Sequence, residues 1–219
     1  MIQQGTQEWR EARCGKVTAS RIADLMATTK SGPGASRAKY MGELIAERLT
    51  GVPRDGFTSA AMQWGTDTEP RARASYSLAR LVKVEPAPFV PHPEIEGTGA
   101  SPDGFVRDEG LIEVKCPETH THIDTLRAQT VPDKYVKQVQ WQLACTGRAW
   151  CDFVSYDPRM PDHMRLWIKR VDRDERAIGK ITEAVREFLA ELDATVAELR
   201  TAYPDPAEDD EIKLMMGAG

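Results

Sequence analysis

The sequence predicts an α/β fold in which a central mixed β-sheet is flanked by helices. Apolar residues recur at helical spacings of three and four in the first and last thirds of the chain, and short β-prone runs broken by Pro and Gly fill the middle. The length of 219 residues suits one well-buried domain and is too short for two ordinary catalytic domains with linkers.

The first third of the chain is predicted to be helical. Ser and Thr within residues 18–20 are typical of a helix start, and apolar residues follow them at helical spacing. A second helix is predicted over residues 40–49, ending at Gly51, and a third over residues 62–78. The small-residue segment 30–36 between the first two helices is typical of a mobile loop, and such loops often carry functional residues.

Strands and helices are predicted for the rest of the chain. The predicted strands are residues 81–84, 87–90, 103–107, 111–116, 149–156 and 164–171, and the predicted helices are residues 132–146 and 174–200. The last two strands read as a hairpin around a Pro-containing turn. The last helix has apolar residues on one face and charges on the other, so we expect it to serve the core or a subunit interface.

The net charge of −5 is unevenly distributed and does not identify a partner. Residues 1–60 hold 9 Lys and Arg against 6 Asp and Glu, a net charge of +3, whereas residues 181–219 hold 3 against 10, a net charge of −7. A basic surface near the amino terminus is therefore compatible with nucleic acid. We expect a single domain over residues 1–203, followed by an acidic, flexible tail over residues 204–219.

The composition excludes several classes of protein. Hydrophobic residues at 41% and charged residues at 29% exclude disordered, collagen-like and coiled-coil chains. No apolar run approaches the roughly 18 residues of a membrane span. The amino-terminal residues lack the parts of a secretory signal, so we expect a cytoplasmic protein with no membrane partner. The four cysteines show no C-x-x-C spacing, so no zinc ribbon or disulfide framework is indicated.

The segment most informative about chemistry is Ser-Pro-Asp-Gly at residues 101–104 followed by Glu-Val-Lys at residues 113–115. If these segments form a hairpin, Asp103 and Glu113 lie near one sheet edge. Glu113 and Lys115 then project together, because residues two apart share a strand face, while the valine between them packs into the core. Two carboxylates beside an ammonium group suit metal-assisted phosphodiester hydrolysis, since Mg²⁺ prefers oxygen ligands and Lys can orient the attacking water. The spacing matches the PD-(D/E)xK nuclease signature.

The signature alone is weak because it needs only a few common residues at variable spacing. A second match, Pro-Asp at residues 204–205 with Glu-Ile-Lys at residues 211–213, lies in the acidic tail, where no alternating apolar residues would fix a strand. We therefore set it aside. The simplest alternative for the first match is an exposed cross-strand pair between Glu113 and Lys115.

Seven segments in a fixed order make the signature far more specific. They occur in the same order as in the phage lambda exonuclease, or YqaJ-type viral recombinase, family, which this chain resembles over roughly residues 5–200. The segments are Gly5-Thr6-Gln7-Glu8-Trp9, Arg13-Cys14-Gly15-Lys16-Val17-Thr18-Ala19-Ser20, Trp64-Gly65-Thr66-Asp67-Thr68-Glu69, Ser101-Pro102-Asp103-Gly104, Glu113-Val114-Lys115-Cys116-Pro117, Gln138-Val139-Gln140 and Tyr156-Asp157-Pro158-Arg159-Met160.

The resemblance implies a PD-(D/E)xK (restriction-endonuclease-like) core with Mg²⁺ as the cofactor and Mn²⁺ as its substitute. The implied metal ligands are Asp103, Glu113, the backbone carbonyl of Val114, and Glu69. Lys115 is implied to assist the nucleophilic water, and Gln138 to orient the reacting groups.

The family implies a processive exonuclease on double-stranded DNA. Its members degrade one strand from the 5′ end, prefer a 5′-phosphate, release mononucleotides and leave a 3′ single-stranded tail for annealing recombination. The residues that match the terminal-phosphate pocket are Arg13, Thr18, Ser20 and Ser101. A guanidinium can bind phosphate in a bidentate manner, and hydroxyls near a helix start add donors.

The resemblance also implies an assembly and partners. Family members form a ring-shaped homotrimer around duplex DNA and often work with a phage single-strand annealing protein in the bacterial host cytoplasm. Lys30 and Arg37 of the predicted loop, together with Met62, are candidates for contacting or splitting the duplex end. The simpler interpretation of Met62 is a core residue.

Single residues also have simpler structural interpretations. Arg13 alone is typical of a surface ion pair, Thr18 or Ser20 of a helix cap, and Gln138 of a solvated helix position. Glu69 can cap or ion-pair its own helix. Trp9 and Trp64 are expected to be core or docking aromatics rather than base-stacking platforms.

Four other functions remain open from the residues. The first is an endonuclease of the same superfamily. The second is a DNA-end-binding protein without catalysis, although all expected catalytic residues are present. A zinc site at His120 and His122 requires that segment to be a strand and lacks a convincing third ligand. An iron–sulfur nuclease of the same superfamily is a further alternative, but its cysteines lack the usual tight spacing. Its ligands would be Cys14, Cys116, Cys145 and Cys151.

Overall fold

The computed structural model describes residues 4–30, 32–54 and 59–204. Seven α-helices and ten strands lie within these ranges, and each of these helices is too short or too polar to cross a bilayer. The helices are α1 (Gln7–Arg13), α2 (Ile22–Leu25), α3 (Ala35–Thr50), α4 (Ala60–Arg80), α5 (Thr119–Ala128), α6 (Asp133–Thr146) and α7 (Glu175–Ala202). The strands are β1 (Val17–Thr18), β2 (Thr28–Thr29), β3 (Gly32–Pro33), β4 (Val84–Glu85), β5 (Val90–Pro91), β6 (Thr98–Ala100), β7 (Gly104–Val106), β8 (Gly110–Lys115), β9 (Trp150–Tyr156) and β10 (Leu166–Asp172).

The main sheet has five strands in the order β10-β9-β8-β7-β4. β8 and β9 are parallel, and the other neighbouring pairs are antiparallel. The predicted central mixed sheet is therefore confirmed. Since β8 and β9 run in the same direction, their carboxyl ends meet at one edge of the sheet. Two smaller sheets, β1-β6-β5 and β2-β3, lie outside it.

Helices cover both faces of the main sheet. On one face, Ala72 and Tyr76 of α4 share a hydrophobic cluster with Val114 of β8. On the other face, Val139 of α6 shares a cluster with Leu111 of β8. Alternate residues of β8 thus enter two different clusters, as the period of two in a strand requires. The odd-numbered positions of β8 face α6, and that face carries the charged residues of the Glu-Val-Lys segment.

A second core is formed by α2, α3, α6 and α7. Tyr40 of α3 stacks on Phe188 of α7, and Trp141 of α6 is fully buried in the same cluster. The apolar stripe of α7 is buried as predicted for a core helix. Its buried residues are Ile178, Ile181, Val185, Phe188, Leu189, Leu192 and Val196. Because burial of one large apolar side chain contributes about 1.5–3 kcal/mol, the role of this helix is to stabilise the fold.

The amino-terminal half differs from the prediction in several elements. The expected helix start at residues 18–20 is the end of β1 followed by a 3₁₀ turn, because the chain first pairs with β6. The predicted loop at residues 30–36 contains β3 of a short hairpin and the start of α3. The predicted strand 81–84 is mostly wrong. α4 continues to Arg80, Leu81 closes it in the left-handed conformation, and only Val84 remains in β4.

The carboxy-terminal half follows the prediction more closely. The helices over residues 132–146 and 174–200 and the hairpin of β9 and β10 are confirmed. α5 has no counterpart in the prediction, because its Thr-rich start resembles a β-prone run. Residues 205–219 lie outside the described residues, so the flexible tail, the domain boundary and the second signature match there stay predictions.

Candidate active site

Asp103 lies at the start of the β7–β8 hairpin. Gly104 of β7 pairs with Ile112 of β8. The Asp103 N–H donates to the Ile112 carbonyl at 3.2 Å, and Asp103 Oδ2 accepts the Val114 N–H at 2.6 Å. The hairpin therefore brings Asp103 against the Glu-Val-Lys segment, as the sequence predicts. These bonds occupy the amide of Val114, and the implied role of its carbonyl oxygen stays a prediction.

Glu113 is a buried carboxylate surrounded by donors. Its side chain is 1% exposed. Oε1 accepts hydrogen bonds from Lys115 Nζ at 2.5 Å and from Gln138 Nε2 at 2.6 Å, and Oε2 accepts one from Gln142 Nε2 at 2.6 Å. A buried charge is tolerated only when it is paired and hydrogen-bonded, and Glu113 meets both conditions. The alternative of an exposed Glu113–Lys115 pair is therefore wrong, and so is the solvated interpretation of Gln138.

Gln142 is a residue that the sequence analysis missed. It lies one helical turn after Gln138 on the same face of α6 and is fully buried. Its Oε1 has no hydrogen-bond partner among the described residues, so the amide is held by Glu113 alone. The signal in the sequence was the spacing of four between the two glutamines, which places them on one face of the helix. Only the position of β8 beneath α6 shows that this face meets Glu113.

The carboxylates near the hairpin repel one another. Burial and the charges of Glu113 and Glu69 raise the pKa of Asp103 well above its ordinary value. Burial also raises the pKa of Glu69, although the charge of Arg73, whose Nη2 forms an ion pair with Glu69 Oε1 at 3.4 Å, works against it. Burial disfavours the charged form of Lys115, but Glu113 and Asp103 outweigh it and raise its pKa. The site therefore groups three carboxylates with the ammonium group of Lys115 and the guanidinium of Arg73.

This donor set fits a hard divalent cation. Mg²⁺ prefers carboxylate oxygens, and a cation would relieve the repulsion that raises the pKa of Asp103. Among the described residues, no three Asp, Glu, His or Cys side chains are already grouped as a complete set of metal ligands. Glu113 is instead held by its donors and Glu69 by Arg73. Asp103 and Glu113 are the residues placed to hold an ion, with Glu69 near them.

Arg13 and Ser101 are joined through Trp9. The guanidinium carbon of Arg13 lies 3.8 Å from the Trp9 ring centroid, and Trp9 Nε1 donates to Ser101 Oγ at 3.0 Å. Ser101 is two residues before Asp103, so this chain of contacts ends beside the carboxylates. Arg13 Nε is buried without a hydrogen-bond partner in the described structure, and burial lowers the Arg13 pKa. Arg13 is half-buried against Trp9 and forms no ion pair within the described residues, so its interpretation as a surface ion pair is wrong; an anion would satisfy its Nε donor.

Thr18 and Ser20 lie near this group. Their hydroxyl oxygens are 3.4 Å apart, and the Thr18 N–H donates to Tyr40 Oη at 3.1 Å. Thr18 precedes the 3₁₀ turn and makes no side-chain capping bond to it in the described structure. Burial raises the pKa of Tyr40, and the hydrogen bond from Thr18 and the charges of Arg21 and Arg13 work against it. Contacts among the described residues thus link Arg13 to Ser101 through Trp9, and Thr18 to Ser20; a phosphate pocket formed by all four stays a prediction.

Lys30, Arg37 and Met62 make no contact with the candidate site within the described residues. Lys30 is exposed after β2. Arg37 pairs with Glu191 of α7 at 2.7 Å and lies over the Phe188 ring, so its charge serves the contact between α3 and α7. Met62, in the first turn of α4, is 58% exposed, so the interpretation as a core residue is wrong. Their roles toward DNA stay predictions.

The zinc and iron–sulfur alternatives are wrong. His120 and His122 lie in a helix, where residues two apart point in different directions. His122 is fully buried, with its nitrogens bonded to Ser155 Oγ and the Met164 carbonyl, whereas His120 is exposed. The cysteines do not converge, because three of them lie in three different hydrophobic clusters. Those three are Cys116, Cys145 and Cys151.

The comparisons with known proteins agree with the fold and the motifs. A family model described as the YqaJ-like viral recombinase domain matches residues 8–149. An alkaline exonuclease from Laribacter hongkongensis is 51% identical, and its crystal structure superposes with a TM-score of 0.85 over 90% of this chain and 97% of that chain. A second structure of that enzyme contains dAMP.

A phage-related exonuclease from Haemophilus somnus 129PT shares the fold at lower identity. Its TM-score is 0.68 at 18% identity, over 84% of this chain and 96% of that chain. These likenesses confirm the predicted PD-(D/E)xK-type fold. By its matched residues, its seven motifs and its fold, the chain belongs to the YqaJ-like viral recombinase domain family.

Proposed function

We propose that this chain is a divalent-metal-dependent exonuclease that degrades duplex DNA from the 5′ end during recombination. Family membership and 51% identity to an alkaline exonuclease support a DNA exonuclease. The observation that carries the finer proposal is the convergence of Asp103, Glu113 and Lys115 at the carboxyl edge of β8, linked through Ser101 to the unsatisfied donor of Arg13.

The carboxylates are assigned to the metal. Asp103 and Glu113, with Glu69 and the carbonyl of Val114, would hold Mg²⁺ or Mn²⁺. When bound, such an ion supplies positive charge at the scissile phosphate and lowers the pKa of the attacking water. Gln138 and Gln142 fix the Glu113 carboxylate by one hydrogen bond to each oxygen, so the ligand is oriented before substrate arrives.

Lys115 acts as a donor rather than as a base. Because Glu113 and Asp103 raise its pKa, Lys115 stays protonated. Its ammonium group orients the attacking water and stabilises the negative charge that develops on the phosphate oxygens. The water oxygen forms a bond to phosphorus and the water gives up a proton to solvent; the bond from phosphorus to the 3′ oxygen breaks, and that oxygen takes a proton from solvent. The terminal nucleotide leaves, and the shortened strand carries a new 5′-phosphate.

The new 5′-phosphate then becomes the ligand of the Arg13 region. Arg13 offers a buried donor, and Ser101, Thr18 and Ser20 offer hydroxyls. A charge-assisted hydrogen bond from a desolvated guanidinium is strong, so a phosphorylated end is preferred to a hydroxyl end. The pocket thereby selects the end that each round of cutting regenerates.

The proposal extends to assembly and partners. A ring-shaped homotrimer around the duplex, with Lys30, Arg37 and Met62 contributing at the duplex end, would keep the enzyme on its substrate between cuts. The product, a 3′ single-stranded tail, is the substrate of a phage single-strand annealing protein in the bacterial cytoplasm. Sedimentation equilibrium of the full chain tests the trimer.

Digestion of a linear duplex with one phosphorylated and one unphosphorylated 5′ end tests the function. Each strand carries a different label, and Mg²⁺ or Mn²⁺ is supplied. We expect mononucleotides from the phosphorylated 5′ strand and an intact complement. Internal cutting would indicate an endonuclease of the same fold, and no cutting with either metal would favour a DNA-end-binding protein.

A further inference from the structure

Arg159 lies just beyond the sheet edge that carries Lys115. It follows β9, the parallel neighbour of β8, and its Nη2 donates at 3.1 Å to the carbonyl of Pro117, two residues after Lys115. Its guanidinium carbon is 4.4 Å from the ring centroid of Trp64. Trp64 belongs to α4, the helix that also carries Glu69. The stack therefore joins α4 to the end of β9 next to the candidate active site.

Asp157 holds this guanidinium in place. The Asp157 side chain is fully buried. Its Oδ1 accepts the Arg159 N–H at 2.9 Å and Nε–H at 2.7 Å, and its Oδ2 accepts from Thr119 Oγ1 at 2.6 Å and from Arg159 Nη2 at 3.1 Å. A guanidinium fixed in this way loses little further side-chain entropy when it binds a ligand.

One edge of the Arg159 guanidinium is left for a ligand. Nε and Nη2 are used by Asp157 and Pro117, whereas Nη1 donates no hydrogen bond within the part of the chain that the structure describes. The side chain is 43% exposed. A fixed cation thus presents unused N–H groups to solvent beside the carboxylates of Asp103 and Glu113.

The chain contains a second stack of the same construction at the other end of β9. The Arg170 guanidinium carbon lies 3.6 Å from the Trp150 ring centroid, and Arg170 Nε and Nη2 donate to the buried Asp152 at 2.9 and 3.1 Å. Trp150 begins β9, so this stack lies at the edge opposite to Lys115. The two stacks share their residue types and anchoring and differ in their distance from the candidate active site.

We propose that Arg159 binds a phosphate of the DNA backbone next to the scissile phosphate. This inference rests on the proposed function. A duplex end approaching Asp103 and Glu113 meets negative charge, and a guanidinium fixed at the same edge offsets that repulsion and matches the geometry of phosphate oxygens. Trp64 supports the flat face of the guanidinium and leaves its edge to the ligand.

Duplex binding by matched variants tests the proposal. The probe is a labelled, 5′-phosphorylated duplex followed by fluorescence anisotropy over a range of salt concentrations, with Ca²⁺ in place of Mg²⁺ and a gel showing that the duplex stays intact. For Arg159→Gln we expect weaker binding and a slope of log affinity against log salt reduced by about 1, the effect of losing one phosphate contact. Arg170→Gln breaks the matched stack, and we expect it to leave the slope unchanged. Arg159→Lys keeps the positive charge, and we expect it to retain most of the slope of the unaltered protein.

A folding defect is separated by a second variant. Arg159→Gln leaves Asp157 as a buried charge without its partner, so the double variant Asp157→Asn with Arg159→Gln is measured beside it and shows the same reduced slope. An unchanged slope in both variants, or an equal reduction in Arg170→Gln, overturns the assignment. If the unaltered protein binds and cuts duplex DNA while Arg159→Gln keeps its slope, this inference alone fails. If the unaltered protein does neither, the proposed function fails as well.

Discussion

Replacing Gln142 by methionine tests how the buried charge of Glu113 is held. Gln142 Nε2 donates to Glu113 Oε2 at 2.6 Å, while Gln142 Oε1 is buried without a partner among the described residues. Gln138 Nε2 donates to Glu113 Oε1 at the same distance, but its carbonyl oxygen is not orphaned in this way. The two glutamines also differ in their acceptor, because Lys115 shares Oε1 with Gln138, whereas Gln142 is the one described donor to Oε2.

The magnitudes follow from these contacts. A hydrogen bond to a charged group contributes about 1.5–3 kcal/mol, and a buried unsatisfied polar atom costs about 1–3 kcal/mol. Gln142→Met removes both terms and nearly conserves the volume, but it leaves Glu113 Oε2 without a donor among the described residues, so it should lower the free energy of unfolding by about 1.5–3 kcal/mol. Gln138→Met leaves Glu113 Oε1 paired with Lys115, so it should lower the free energy of unfolding by less, about 1 kcal/mol.

Urea unfolding of the three proteins measures these differences, and single-turnover digestion of a phosphorylated duplex measures the catalytic effect. Because Gln142 orients a proposed metal ligand, we expect Gln142→Met to cut at least about tenfold more slowly than the unaltered protein, which corresponds to about 1.4 kcal/mol of transition-state stabilisation. If Gln138→Met unfolds more easily than Gln142→Met, the reasoning about the donors of the two Glu113 oxygens is refuted. If it cuts at the normal rate, the orienting role is refuted.

Three further predictions concern single side chains. Lys115→Ala should abolish cutting in the digestion assay and leave duplex binding, measured by anisotropy, largely intact. Full cutting activity of this variant would contradict the role assigned to Lys115. Arg13→Ala should bring the ratio of rates on phosphorylated and unphosphorylated ends close to 1, and an unchanged ratio would remove Arg13 from the pocket. Hydrogen bonds from Arg159 and Thr119 outweigh burial and lower the Asp157 pKa to about 2. The ionised Asp157 therefore adds about 2 kcal/mol to the free energy of unfolding. This stabilisation is complete above about pH 4 and is lost as the pH falls toward 2. Acid unfolding curves of Asp157→Asn should lack this loss of stability.

The hairpin that builds the site could be predicted from local sequence. Asp103 and the Glu-Val-Lys segment flank a short polar turn that ends at Gly110, and apolar residues alternate with charged ones after it. The structure adds why a glycine is needed there, because a Cβ on Gly110 would lie 2.2 Å from the Trp150 ring. Spacing and alternation were thus enough to place Asp103, Glu113 and Lys115 together.

The residues that support the site could not be predicted in the same way. A glutamine on a helix is usually solvated, and only the packing of α6 on β8 buries Gln142 against Glu113. Arg159 belongs to a recognised motif, yet its contact with Trp64 joins segments 95 positions apart in sequence. Elements of two or three residues, such as β1 and β6, carry too little pattern to be detected, and they depend on each other for pairing.

The amides that orient Glu113 also help to specify the register of the central strand. If β8 slipped by one residue, Val114 would face α6 and Glu113 would enter the apolar cluster beneath α4, because successive strand residues point to opposite faces. The carboxylate would keep Lys115, which shares its strand face, but would lose Gln138 and Gln142, and each buried acceptor left without a donor costs about 1–3 kcal/mol or more. The correct register is therefore the one in which the charge meets its donors. Selection for a well-oriented metal ligand and selection for a single sheet register act on the same glutamines.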